Sequence, residues 1–530
     1  MFWACVILIS SVSSPKIAES GIALQYPEGE EVPRHLTEEE LKWIERHPIV
    51  APLRGTVEAP SGDVICVAEY EPMDAILLAW EGFSDIVAQM AANITTVGDA
   101  TALIMVDSTS EQASALSQIN SYGGDTNRVQ FVVRTTDTIW IRDYGPRYIY
   151  ENGCRVIVDH TYNRPRPNDN ALNSYLAPHL QHGYYEIPLV HGGGNFHLNS
   201  DGYGWATELI EDENPSLSEQ AIREYWEEFQ NLDVTITDAF PTSVDYTQHI
   251  DMWMCWASDT TCIISDWPYD ANSIQDQICD TTASTLQSLG YDVVRIPARS
   301  QGGTHYTYVN AVICNDLVLV PSYSNAQIVQ HNQEAVDGWQ DACPDKTIVV
   351  VPCEDIVSLS GVMHCICMHV PKHSGGQVPL AYLQYPNGGE TLTANQTIQI
   401  RWLADDDEGV EFVDIEYSSN AGNTWGLIAS QIPHSGSFSW SVPDQNTEQG
   451  WIRITATDND SLYATDYGDG QFSIVGGTVV GDVTGDGIIN IIDILAVMAN
   501  WGPCTVGCST DINGDGDTNV SDLLIVIANW

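Results

Sequence analysis

The sequence predicts an α/β domain, then an all-β domain, then a short module of repeated helices. Three patterns predict it. From about residue 62 to 372, short β-rich runs alternate with helical ones, the pattern of an α/β fold. From 381 to about 475, apolar and polar residues alternate at period two, with turn residues between the runs, which predicts strands. From 479 to 530 the chain repeats itself. Asp482-Val-Thr-Gly-Asp-Gly and Asp511-Ile-Asn-Gly-Asp-Gly each precede an apolar run that ends in Ala-Asn-Trp. At 530 residues the chain is longer than the roughly 250–300 that one core supports. Its 43% hydrophobic content and 16 Trp supply apolar surface for several cores and exclude a wholly disordered chain.

Residues 1–20 open Met-Phe-Trp-Ala-Cys-Val-Ile-Leu-Ile and continue into Ser-Ser-Val-Ser-Ser-Pro. An apolar core with a small-residue tail predicts a secretory signal, although the usual basic start is missing. Residues 21–61 form a polar, Pro-rich extension with one short helix at Leu36-Thr-Glu-Glu-Glu-Leu-Lys-Trp-Ile. Thr37 is a good N-cap there, and Glu40 three places on completes a capping box. Within 62–372, Thr101-Ala-Leu-Ile-Met-Val predicts a strand, and Leu217 to Gln230 predicts a helix opened by Ser216 or Ser218. Lys372-His-Ser-Gly-Gly-Gln-Val-Pro reads as a linker. The strands expected in 381–475 are Thr397-Ile-Gln-Ile-Arg-Trp, Val413-Asp-Ile-Glu-Tyr, Ser437-Phe-Ser-Trp-Ser-Val and Trp451-Ile-Arg-Ile-Thr-Ala-Thr. Together they predict a small immunoglobulin-like sandwich.

Charge narrows the partners. Seventy-two acidic against 19 basic residues give a formal charge of −53. A chain this acidic is not held on nucleic acid by phosphate contacts, nor on anionic lipid. No stretch after the N-terminus is long and apolar enough to predict a membrane span. Such acidity suits a soluble secreted protein, a calcium binder or a saline habitat; with the signal segment it makes a secreted or cell-surface location the expectation. Of 13 Cys, Cys5 lies in the signal segment. Secretion would allow disulfides such as Cys343–Cys353 or Cys504–Cys508.

The tail has a more specific chemistry. Both copies put oxygen side chains at loop positions 1, 3, 5, 9 and 12, with Gly at 6. A hard cation takes six or more oxygens, and the Gly permits the turn, so this is EF-hand-like spacing. The candidate calcium ligands are Asp482, Thr484, Asp486, Asn490 and Asp493, then Asp511, Asn513, Asp515, Asp517, Asn519 and Asp522. Asp at position 12 and a single helix after each loop make the pair resemble the dockerin family. That resemblance implies calcium in the repeats and a cohesin-like partner.

The α/β region carries the other polar clusters. Thr138-Ile-Trp-Ile-Arg-Asp-Tyr-Gly-Pro places Arg142 and Asp143 after an apolar run. His191-Gly-Gly-Gly-Asn closes another strand, and no P-loop Lys follows it. His249 and Asp251 stand two apart and would share one face of a strand. Gly361-Val-Met-His-Cys365-Ile-Cys367 ends the domain. Singly, each is as well explained by a turn, a cap or a core residue. Together, a Cys nucleophile, a proton-shuttling His and two carboxylates suit attack on a planar guanidinium.

In that order, WxRDxGP, GGN, HxD and the late HC motif resemble the guanidino-group-modifying enzymes, or penteins, over residues 62–372. Two branches compete: agmatine deiminase and the Porphyromonas-type bacterial peptidylarginine deiminase. Glu69-Tyr-Glu-Pro-Met-Asp fits both, whereas Asn163-Arg-Pro-Arg-Pro is similar to the peptidylarginine branch. The resemblance implies a five-bladed α/β propeller. It implies Asp143 and Asp251 as guanidinium-binding carboxylates, His249 as general acid/base, Cys365 as nucleophile and Asn310 as its support. Trp140 would wall the aliphatic stem, while Arg164, Arg166 and Tyr246 would meet the α-carboxylate of a C-terminal arginine. The expected reaction is hydrolysis of that guanidinium to citrulline and ammonia without a catalytic cofactor. Agmatine deimination to N-carbamoylputrescine, a step of putrescine biosynthesis, is the alternative, and an inert binding module recruited by its tail is the second. Cys367 would be a competing thiol.

Overall fold

The computed structural model describes residues 16–17, 24–26, 31–53, 55, 57–476, 480–485, 488–504 and 508–530. The expected signal segment, apart from Lys16 and Ile17, and the candidate ligand Asp486 lie outside the described residues. The chain divides into two compact units, Met1–Ser374 and Gly375–Trp530, and the division falls inside the linker expected from sequence. No described helix is long and apolar enough to cross a membrane.

The first unit is α/β and contains five sheets of three or four strands with a shared logic. In each, an antiparallel pair is followed by a strand that adds in parallel after a helical crossover. Tyr203–Thr207 pairs antiparallel with His197–Leu198 and parallel with Asp233–Thr237. Thr261–Asp266 does the same with Met254–Trp256 and Asp292–Pro297. Leu317–Ser322 does so with Val312–Cys314 and Thr347–Pro352. The crossovers are the helices Glu219–Gln230, Ile274–Leu289 and Asn332–Ala342. In a fourth sheet Cys154–Tyr162 pairs antiparallel with Arg147–Glu151 and parallel with Gly183–His191. The fifth is closed by the end of the domain. Cys367–Pro371 returns to lie antiparallel to Met73–Ala79, which pairs in parallel with Thr101–Val106.

Strands buried on both faces read as continuous apolar runs, as in Met73–Ala79 and Thr101–Val106. One large core of buried residues includes Ile76, Leu78, Ile104, Trp140, Trp253, Trp256 and Trp339. The helix expected from Leu217 starts at Glu219, because the Ser218 side chain accepts the Ala221 amide as its N-cap. His249 and Asp251 are not on a strand. They lie in and beside the one-turn 3-10 helix Ile250–Met252, and Asp143 sits in the short helix Ile141–Tyr144.

In the second unit, Leu380–Tyr385, Thr397–Asp405 and Ser437–Ser441 form a three-stranded sheet. A six-stranded sheet includes Val410–Ser418 and Thr447–Asp458. Leu383, Ile400 and Trp402 of the first share a core with Val413, Ile415, Ile452 and Ile454 of the second. The repeats end in the helices Ile491–Ala499 and Val520–Asn529, opened by matching capping boxes, Asn490 with Asp493 and Asn519 with Asp522. Val483, Val497 and Val526 form their small core. Cys504 and Cys508 are joined as a disulfide, whereas Cys343 and Cys353 are free and buried. Their disulfide is therefore corrected: each thiol is absorbed into the core instead.

The helix Glu38–Ile44 has the capping box expected of Thr37 and Glu40, but Glu40 also faces inward. It accepts Arg166 Nε at 2.9 Å with both side chains fully buried, and Tyr26 donates its hydroxyl to it at 3.0 Å. Burial by itself raises the Glu40 carboxyl; Arg166 outweighs it and holds the pKa below the usual value. The pair therefore contributes stability that is complete above the ordinary glutamate pKa. That stability is lost as pH falls through the depressed folded value. Glu40→Gln, which leaves Arg166 buried without its counter-charge, is expected to cost about 3–5 kcal/mol. Hydrogen exchange across residues 31–44 should show this as lost protection at neutral pH. It should also remove the part of the acid sensitivity that the wild type shows below about pH 4.

Candidate active site

Each sheet of the first unit delivers a segment of the site just before its leading antiparallel strand. Asp143 precedes Arg147–Glu151, and the glycines 192–194 precede His197–Leu198. His249 and Asp251 precede Met254–Trp256, Asn310 precedes Val312–Cys314, and Cys365 precedes Cys367–Pro371. The sequence scatters these residues, and the fold brings them into contact.

They meet around a side chain for which the sequence reading had no role, Arg34 of the N-terminal extension. Its guanidinium donates Nε to Asp143 Oδ2 at 2.9 Å and Nη2 to Asp143 Oδ1 at 2.7 Å, a bidentate fork. Nη1 and Nη2 each reach an oxygen of Asp251 at 3.1 Å. Nη1 stands 2.5 Å from Cys365 Sγ, and Nη2 donates to His249 Nδ1 at 2.8 Å. Gly194 is required here, because a Cβ at that position would collide with Arg34 Nη2 and come 2.8 Å from Asp143 Oδ1. Asn310 Oδ1 lies 3.3 Å from Cys365 Sγ, while its amide donates to the Asp251 carbonyl at 3.0 Å.

The cluster is closed to solvent, so its charges act at full strength. Burial alone raises the Asp143 and Asp251 carboxyls, but Arg34 outweighs it, assisted by His249 and, for Asp251, by His364. Both carboxyls are held below the usual range. Burial lowers His249, matching its role as acceptor of an Arg34 proton at Nδ1. Burial pushes the Cys365 thiol well up, and the Arg34 cation pulls the other way. A cation in this seat is thus one determinant of how much thiolate Cys365 carries.

The remaining candidates surround the backbone of the same segment. Fully buried Trp140 donates Nε1 to the Val32 carbonyl at 2.7 Å. Arg164 donates Nε to the Arg34 carbonyl at 3.3 Å. Arg166 donates to the Pro33 carbonyl at 2.8 Å, to the Tyr162 hydroxyl at 3.3 Å and to Glu40. Tyr246 is exposed and stacks on His35 with ring centroids 4.9 Å apart. Cys367 is free and points away from the cluster toward Arg142, 3.6 Å from Nη2.

A second tier, to which the sequence reading gave no part in catalysis, steadies Asp251. His364 joins Asp251 Oδ2 at 3.0 Å to Glu69 Oε2 at 2.8 Å, and Arg142 pairs with Glu69 at 2.6 Å. Glu69, His197 and His364 offer three metal-ligand atoms within 4.8 Å of one another. The pairing of Glu69 with Arg142 puts a fixed cation beside them, which suits an ion-pair relay better than a second cation. The signal for His364 was its position beside Cys365, and that for Arg34 was an arginine in so acidic a chain.

In the tail, Asp493 accepts the Thr484 amide at 3.2 Å, and Asp522 accepts the Ile512 and Asn513 amides at 2.8 and 3.1 Å. Asp482 and Asp511 accept amides from their own loops, the former from Gly485, the latter from Asp515 and Gly516. Asn490 and Asn519 cap the helices, Asn513 accepts the Asp515 amide, and Asp515 accepts the Asp517 amide.

Comparison with known proteins gives this arrangement a family. Residues 65–371 match the sequence profile of the Porphyromonas-type peptidyl-arginine deiminases, and residues 480–529 match that of dockerin type I domains. The chain is 24% identical over 299 residues to an agmatine deiminase of Ectopseudomonas mendocina, covering 47% of this chain and 79% of that one. It is 22% identical over 360 residues to a candidate agmatine deiminase of Photobacterium profundum, covering 58% and 95%. An agmatine deiminase of C. jejuni solved with substrate bound has the same fold, with a TM-score of 0.51 at 20% identity over 59% of this chain and 97% of that one. So does a Porphyromonas gingivalis protein described as a candidate arginine deiminase, with a TM-score of 0.51 at 19% identity over 59% and 99%. The chain belongs to the Porphyromonas-type peptidyl-arginine deiminase family and is a pentein-type deiminase, a hydrolase of amidine C–N bonds.

Proposed function

We propose that the first unit deiminates the guanidinium of peptidyl-arginine, with C-terminal arginine its preferred form. One observation carries this reading: the Arg34 guanidinium lies on Asp143, Asp251, His249 and Cys365 while its own carbonyl accepts from Arg164. A C-terminal arginine seated the same way would present its carboxylate to Arg164. Asp143 and Asp251 would hold the guanidinium flat, and the Cys365 thiolate would attack its central carbon. His249 faces the nitrogen opposite the one nearest sulfur, so a proton it carries reaches that nitrogen as ammonia departs. Water activated by His249 would then resolve the thiouronium to citrulline. Asn310 would orient the sulfur, Trp140 would wall the site, and Arg166 and Tyr246 would meet the peptide backbone. The chemistry asks for no cofactor.

Agmatine deimination is the second reading, favoured by the names of the relatives. Agmatine has no carboxylate for Arg164, and an extracellular tail serves a polyamine pathway poorly. We read the five sheets as the five blades of a pentein propeller and residues 381–475 as an immunoglobulin-like sandwich. Residues 479–530 we read as a dockerin-like module that docks on a cohesin at the cell surface or on a secreted scaffold. The oxygen-only donors of its two loops suit a hard cation, and Asp482, Thr484, Asn490, Asp493, Asp511, Asn513, Asp515, Asp517, Asn519 and Asp522 would hold calcium, with Asp486 completing the first set.

Product release from equal concentrations of a C-terminal-arginine peptide, an internal-arginine peptide and agmatine tests the reading. The C-terminal peptide should lead, and preference for agmatine would overturn the peptidyl assignment. Cys365→Ala should lower turnover by about a thousandfold or more. Unchanged turnover would reject the mechanism. Arg164→Ala should raise KM for the peptide by about ten- to hundredfold, the effect of one charge-assisted hydrogen bond, and leave agmatine unaffected. For the tail, chelation should lower helicity seen by circular dichroism, and Asp515→Ala should do the same.

A further inference from the structure

The groups proposed to carry the reaction are all already engaged, and by the chain itself. Both oxygens of Asp143 and both of Asp251 accept from Arg34, and the Arg34 side chain is fully buried. The backbone around it is fastened as firmly. The Arg34 amide donates to Leu359 O at 3.0 Å, and the carbonyls of Val32, Pro33 and Arg34 accept from Trp140, Arg166 and Arg164. The helix that follows is tied down through Glu40 and Arg166. An outside guanidinium needs the same two carboxylates, so it cannot bind while Arg34 is seated. The occupant is not inert chemistry either: it is an arginine whose Nη1 touches the sulfur and whose Nη2 touches His249.

We propose that Arg34 is an internal substrate of the site it fills, and that its own deimination is the event that opens the site to other guanidinium groups. The inference rests on the deiminase reading above. The Cys365 sulfur forms a bond to Cζ of Arg34 as its thiol proton passes to His249, and the Cζ–Nη2 bond breaks as His249 returns that proton to Nη2, releasing ammonia. Water then adds to Cζ, the carbon–sulfur bond breaks, and the thiol is restored. The water supplies the oxygen and the protons, nothing is oxidised or reduced, and residue 34 becomes citrulline. His249 Nε2, buried and without a hydrogen-bond partner among the described residues, is the nitrogen free to handle that water's proton. The product is neutral. Asp143 and Asp251, buried together, then face each other without the cation that reconciled them, and the segment is held by its backbone contacts against that repulsion and no longer by its side chain.

The test uses the full chain incubated in buffer, with residue 34 followed by peptide mass. Wild type should show the small mass increase of an NH-to-O exchange at Arg34, and Cys365→Ser should not. Arg34→Gln, a neutral stand-in for the product, should convert a C-terminal-arginine peptide from the first moment. Wild type should show a lag that ends as Arg34 is consumed, its initial rate about tenfold lower if nine sites in ten are filled. An unmodified Arg34 in a wild type that converts the peptide without a lag overturns the inference and leaves the deiminase reading standing. If Arg34 is converted but wild type and Arg34→Gln start at equal rates, the opening step is overturned. If Arg34 stays intact and Arg34→Gln converts neither the peptide nor agmatine, the deiminase reading fails and takes the inference with it.

Discussion

Two carboxylates buried beside each other need a cation between them, and much of the first unit is arranged around that need. Asp143 and Asp251 have no exposure to water, so neither can shed its charge into solvent. Arg34 supplies the cation through a planar fork that satisfies both at once. Geometry this demanding explains the neighbouring glycine at 194, where any side chain would displace the guanidinium. It also explains the second tier. His364 and Glu69 fix the orientation of Asp251, and Arg142 compensates Glu69. A site built to bind a guanidinium is, by the same physics, strained when empty, and an arginine of its own chain relieves it.

The fold serves that centre through repetition. Each sheet begins with a short antiparallel strand, and the site segment sits just ahead of it, for Asp143, Asp251 and Cys365 in a single helical turn that aims the side chain inward. The parallel strands and crossover helices behind bury the apolar bulk, including Trp253, Trp256 and Trp339. Rigid packing behind and polar turns in front separate stability from chemistry. The return of Cys367–Pro371 to pair with Met73–Ala79 ties the residue proposed as nucleophile to the first sheet, so its position depends on the domain being complete.

The tail works on a different principle. Its apolar core is small, and Asp493 and Asp522 fold each loop back onto its helix by accepting backbone amides. A module with so little buried surface would gain most from an ion that gathers its loop oxygens, which is why a chelator is a sharp test of the calcium sites proposed for it.

Much of this was legible in the sequence, for reasons that are local. The strand Thr101–Val106, the capping box of Thr37 and Glu40, and the single helix after each repeat loop depend on residues close together in the chain, and all appear as read. The family resemblance singled out Asp143, His249, Asp251, Asn310 and Cys365, and the fold brings these five together, while their roles in the reaction belong to the proposal. Period alone misjudged His249 and Asp251 as strand neighbours, because a single 3-10 turn leaves no periodic signal. A secreted location would have allowed a Cys343–Cys353 disulfide, but both thiols are free and buried in the core. What only the tertiary structure decided is who meets whom. Arg164 and Arg166 look alike in sequence, yet one touches the seated arginine's carbonyl and the other is held by Glu40. Arg34 carries no motif at all, and its role exists only because the chain folds back and places one cation where two buried carboxylates would otherwise stand uncompensated.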